Sequence, residues 1–161
     1  MLRTTLLLVF IGFCVSAALP AQAQDRGPFV ALAGQWSGTG TVELNNGSSE
    51  KLRCRASYDV LREGANLQLN IRCASESYNF DLRSSVDYSG GNISGTWSES
   101  TRNAAGTLTG KASGRRIDVS ATGTIAVSLS LTTSGDHQSV NIRAQDQQSS
   151  VKGATISLKR G

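Results

Sequence analysis

The chain is poorest in the residues that do chemistry. It has one histidine, His137, one methionine and three cysteines, and no Cys-x-x-Cys. His137 has no second histidine and no cysteine at ligand spacing, which excludes a histidine-based metal site. No Ser/His/Asp order and no Gly-x-Ser-x-Gly elbow is present, so the serines and threonines read as strand-face filler rather than nucleophiles. Nothing in the sequence requires a cofactor. Charged residues make up 17% of the chain, and the formal net charge of +4 comes without a basic run or basic helix. That is not the footprint of a nucleic-acid binder. Aromatics are 6%, and no stretch of useful length carries a helical period. Gly, Ser and Thr abound instead, as short strands and tight turns require.

The one long apolar run is N-terminal. Arg3 begins it, Leu6 to Leu19 form its body, and Ala21-Gln22-Ala23 ends it as an A-x-A cleavage site. Residues 1–23 therefore read as a signal peptide and Gln24 as the first mature residue. The run is too short for a bilayer span of about 20 residues. Cys14 follows Phe13 rather than the small residue that a lipoprotein signal needs, so it leaves with the signal. Removing 1–23 leaves 138 of 161 residues, one domain's worth, with 15 basic against 12 acidic side chains. It also leaves two cysteines in a periplasmic or secreted protein, where disulfides persist.

Their pairing can be worked out. Leu52, Cys54, Ala56, Tyr58 and Val60 alternate with Lys51, Arg53, Arg55, Ser57 and Asp59. After Glu63-Gly64 the alternation resumes with Leu67, Leu69, Ile71 and Cys73. A period of two with one apolar face is the pattern of a half-buried strand. Folding about Glu63-Gly64 gives partners whose numbers sum to 127. Cys54 then faces Cys73, a cross-strand disulfide closing a loop of about 20 residues, worth roughly 3 kcal/mol. On the other face, Arg55 meets Arg72. Like charges placed opposite are destabilising, and Asp81 is the nearest candidate to compensate.

The same alternation runs on both sides of this hairpin. Residues 24–31 read as a flexible arm, with Pro28 barring an early central strand. The domain then occupies 32–161, its first strand running from Leu32 to Leu44. Eight further polar turns divide the rest, among them Asn45-Asn46-Gly47, Gly90-Gly91, Ser113-Gly114 and Ser134-Gly135. The E–F turn centres on Thr101-Arg102 or on Arg102-Asn103, which places Trp97 opposite Gly106 or Leu108. Ten short strands with short connections imply an antiparallel meander, which escapes its edges by closing. The expected fold is all-β, an up-and-down barrel or clamshell of about 8–10 strands, with a two-sheet sandwich as the alternative. The polar face and inward aromatics are the reverse of an outer-membrane barrel.

Leu32-Ala33-Gly34-Gln35-Trp36-Ser37-Gly38 places a Gly-x-Trp at the start of the first strand. This resembles the opening signature of lipocalin-like proteins, and it is also similar to small eight-stranded bacterial inhibitors of secreted metalloproteases. The lipocalin resemblance implies a late arginine packed on Trp36, for which Arg160 and Lys159 are the available positions. It also implies a helix after the barrel, which this sequence lacks.

Gly38, Gly40, Gly95, Gly106 and Gly110 share the inward parity with the tryptophans. Either rings fill the space beside them, or the barrel keeps a ligand-sized cavity. The ligand reading uses Trp36, Tyr58, Tyr78, Phe80 and Trp97. Outside, Arg53, Arg55, Arg72 and Arg83 form a strip that is either a solvated surface or a dock for an anionic glycan, lipid headgroups or an acidic protein. Glu99, inward by parity, is expected to be capped by Arg102. The sequence points to a non-enzymatic exported binder of a small apolar ligand. The alternatives are a protein-binding module such as a protease inhibitor, or an envelope protein acting through its Arg-rich face.

Overall fold

The structure, a computed structural model, describes residues 26–146 and 149–161. The segment read as a signal peptide lies outside the described residues. Ten strands follow one another: β1 (Gly34–Leu44), β2 (Ser49–Leu61), β3 (Asn66–Ala74), β4 (Asn79–Ser89), β5 (Asn92–Glu99), β6 (Ala104–Ser113), β7 (Arg116–Gly123), β8 (Val127–Ser134), β9 (His137–Ala144) and β10 (Val151–Arg160). Each pairs antiparallel with its neighbours in sequence, and β1 pairs with β10, closing the barrel. The sandwich alternative is thereby excluded, and the sheet has no free edge.

The β2–β3 register is the one the alternation specifies. Cys54 faces Cys73, Ala56 faces Ile71, Tyr58 faces Leu69 and Val60 faces Leu67. The two cysteines are joined, with a Cα separation of 4.1 Å that suits a directly opposed, non-hydrogen-bonded pair. Between β5 and β6, Trp97 faces Gly106, so the turn centres on Thr101-Arg102.

The inward glycines have a different cause from either that their spacing suggested. A Cβ on Gly38 would stand 2.0 Å from the Ser157 carbonyl oxygen, one on Gly95 2.2 Å from Ser85 O, and one on Gly106 1.8 Å from Thr122 O. At these points the neighbouring strand's backbone, not an aromatic ring, occupies the space. The glycines let coiled strands approach where the barrel bends.

The two ends differ. Residues 27–31, within the segment 24–31 expected to be a flexible arm, pack together with Leu32 across the end that carries the β2–β3 turn. The Gly27 N–H donates to Glu63 O (2.9 Å) and the Phe29 N–H to Gly64 O (3.3 Å). A 3-10 turn (Val30–Leu32) follows, and Phe29 and Leu32 are 1% and 2% exposed. Their apolar surface gains more from covering the core than from staying in water. Phe29 meets Tyr88 edge-on, with ring centroids 6.4 Å apart.

Candidate functional site

Trp36 sits on this plug. Its indole Nε1–H donates to Leu32 O at 2.7 Å, and the Arg160 guanidinium lies 4.4 Å above the ring centre. Arg160 also donates to the carbonyls of Ala31 (2.6 Å) and Ala33, tying the 3-10 turn to the last strand. The late arginine implied by the resemblance is therefore Arg160. Tyr58 meets Trp36 edge-on at 6.4 Å, and its hydroxyl donates to Gln138 Oε1 at 2.6 Å. Gln138 in turn reaches Thr133 Oγ1 at 3.4 Å. Burial raises the Tyr58 pKa, only partly offset by Gln138, so the phenol stays neutral and donating. Gln138 and Thr133 are 2% and 3% exposed. Sequence reasoning missed both. Parity alone puts Gln138 in line with Val140 and Ile142, but a search for apolar alternation passes over it.

The other three rings lie elsewhere. Trp97 is buried, and its Nε1–H is shared between Thr107 O and Thr122 O, each at 3.2 Å. Tyr78 lies in the β3–β4 turn at the opposite end from the plug, with the Arg102 guanidinium 3.9 Å over its ring. Phe80 is half-buried near the start of β4. The five candidate rings thus form no single cluster. Trp36 and Tyr58 belong to the closed end, Tyr78 and Phe80 to the far end, and Trp97 joins neither.

The far end is held by Glu99, 2% exposed. Its carboxylate accepts from the N–H groups of Asp81 (3.0 Å), Thr101 (2.9 Å) and Arg102 (3.0 Å) and from the Thr101 hydroxyl (2.7 Å). Arg102 Nη1 lies 3.5 Å from it. Burial works to raise its pKa, but these donors and the Arg102 charge outweigh burial and hold it below its ordinary value. With its oxygens so engaged, Glu99 fastens the β5–β6 turn to β4. His137 is exposed and pairs with Asp136 at 2.6 Å.

Between these ends, the inner wall is apolar but incompletely covered. Leu44, Val119, Leu129, Ile142 and Ala154 point inward in the half of the barrel away from the plug, and all are only half-buried, as are Phe80 and Leu82. Outside, Arg55 faces Arg72, and Arg72 Nε donates to Asp81 Oδ2 at 2.8 Å. Arg53 and Arg83 are exposed on the same face of β2 and β4.

No protein-family model matches the chain, and no curated protein is similar to it in sequence. Solved structures do resemble it in fold. Rv2717c from M. tuberculosis aligns over 82% of this chain and 94% of its own, with a TM-score of 0.65 at 12% identity. The S-type phycobiliprotein lyase CpeS from Guillardia theta aligns over 83% and 90%, with a TM-score of 0.58 at 9% identity. The ten strands depart from the eight of the protease inhibitors. At such identities the likeness shows the fold alone, a closed antiparallel β-barrel.

Proposed function

We propose that the barrel holds one small apolar ligand, admitted at the end opposite the plug. The observation that carries this reading is the asymmetry of the interior. Phe29, Leu32, Trp36 and Arg160 seal one end, whereas Leu129, Ile142, Ala154 and Phe80 near the other present apolar surface that the protein leaves half-covered. Ligand sites are concave, mostly apolar and entered from one side, and a closed barrel near this strand number has room for one small guest. A similar barrel belongs to a phycobiliprotein lyase, which supports a ligand-handling interior. Trp36, Tyr58 and Trp97 have their polar atoms engaged within the protein and act as wall and floor. The contacts that choose the ligand are those of Phe80, Leu82 and the β7–β10 wall. The protein is a binder rather than a catalyst in this reading, since its one deeply buried carboxylate among the described residues, Glu99, fastens a turn.

The test is native mass spectrometry of the oxidised protein from its source, paired with titration of tryptophan fluorescence by palmitate and by naphthalene. A co-purifying mass, or saturation at one equivalent, supports the carrier reading. Ile142→Trp should then abolish saturation while Leu61→Trp, at an exposed position, does not. A bare mass with flat titrations for both probes refutes it.

A further inference from the structure

We propose that the outer face of β1–β4 binds a linear anionic polysaccharide, at a site separate from the interior. Lys51, Arg53 and Arg55 are successive outward residues of β2 and all are exposed. Alternate strand residues lie roughly 6.7 Å apart, so these three cations span about 13 Å. The line then steps across to Arg72, the direct partner of Arg55, and on to Arg83 of β4, at the next outward position after Asp81. Five cations thus follow one diagonal path.

Their neighbours leave most of this charge unanswered. Arg53 lies between Thr39 and Ala74, Arg83 between Asn70 and Ser98, and Arg55 between Ser37 and Arg72. Lys51 faces Thr41. Among the described residues, only Arg72 of the five has an ion pair, with Asp81. Three other acids stand close. Glu76 lines the hollow beside Lys51 and Arg53, Asp59 lines the concavity beside Arg83, and Glu50 is engaged by Ser75 and Ser77. Opposed like charges cost stability in a sheet, so a fold serving only itself gains nothing from this arrangement.

The surroundings select the partner. The strip is flanked by Thr39, Thr41, Gln68, Asn70, Ser75 and Ser98, side chains that exchange hydrogen bonds with hydroxyl groups. Around Arg83 they line a concavity of about 280 Å³. No outward position of β1–β4 carries an aromatic ring on which a base could stack, and the one large apolar side chain there, Leu61, stands at the β2–β3 turn, six positions beyond Arg55 and off the strip. A chain of sugars with regularly spaced carboxylates meets both the cations and the hydroxyl partners.

The experiment measures retention of the oxidised protein on immobilised alginate against neutral dextran, across a salt series. Retention on alginate that weakens with salt, and none on dextran, is expected. Arg53→Glu with Arg55→Glu should lower apparent affinity by about tenfold or more, as for two lost charge-assisted contacts. Lys111→Glu with Arg143→Glu, which changes net charge equally elsewhere, should leave it intact. Because Arg55→Glu puts opposite charges across from each other, the first variant should melt no lower than the wild type. Should it melt lower, Arg53→Gln with Arg83→Gln makes the same test. Palmitate titration of these variants reads the interior separately. Absent alginate retention, equal loss for both charge-reversed variants, or tighter binding to a single-stranded oligonucleotide or to phosphatidylglycerol vesicles overturns the proposal.

Discussion

Replacing Gly106 by alanine separates two accounts of the inward glycines. If they border empty space, an added methyl is harmless or fills a void. The structure places the Cβ 1.8 Å from Thr122 O, with Gly123 Cα at 2.9 Å. Carbon and carbonyl oxygen come no closer than roughly 3.3 Å in ordinary contacts, so β6 and β7 must separate by about 1.5 Å. A ladder hydrogen bond stretched by that much is lost. Thr122 O is also one of the two acceptors of the Trp97 indole N–H, which turns to Thr107 O alone or is left unpaired. Two ladder bonds at about 1 kcal/mol each, with a weakened indole bond, amount to roughly 3 kcal/mol. In a domain of this size that lowers Tm by about 10 °C. Thermal and urea melts of Gly106→Ala, beside Gly40→Ala where the clash is milder at 2.4 Å, measure it. Gly106→Ala within about 0.5 kcal/mol of wild type, the usual range for an unconstrained surface site, would refute the close-approach account.

Other perturbations read other parts of the fold. Arg160→Ala uncovers the Trp36 ring and frees the carbonyls of Ala31 and Ala33, and should cost about 2 kcal/mol with a change in tryptophan emission. Cys54→Ala with Cys73→Ala removes a link across 19 positions and should cost about 3 kcal/mol in a urea melt, with the barrel still closing at low denaturant. Glu99 has a folded pKa below that of the unfolded chain, so the stability it supplies is complete at neutral pH and drains away as pH falls below 4.5. Glu99→Gln should therefore be less stable at pH 7 and lose less on acidification, measured by melts at pH 7 and pH 3.

Much of this was legible because β2 and β3 carry their own register. A strict period of two, two cysteines and a short turn leave one way to pair them, and Arg55 beside Arg72 follows. The number of strands followed from the turns, since Gly and Asn at positive φ punctuate the chain, as at Gly47, Gly90 and Gly135. What stayed hidden depends on partners distant in sequence. The same inward parity describes a glycine against a ring, a cavity or a backbone carbonyl, and only the neighbouring strand's position decides. Phe29 reads as part of an arm because Pro28 rules out an early strand, and Leu32 as the start of the first strand, but neither pattern shows that the two apolar side chains cap the core. The buried partnership of Tyr58 with Gln138, 80 residues away, has no local signature at all.

Closure by β1 on β10 also sets the order of events when the chain folds. The nine hairpin pairings each form between near neighbours, but Trp36 waits for Arg160 and Val42 for Ala154, more than a hundred residues downstream. Until residues 151–160 arrive, β1 is an eleven-residue strand with one side unpaired, open to the same edge of another copy. The final seam is a long-range contact of the kind that slows folding. Crowded refolding should therefore trap dimers joined through β1, and a chain cut before β10 should aggregate rather than stand as a nine-stranded sheet.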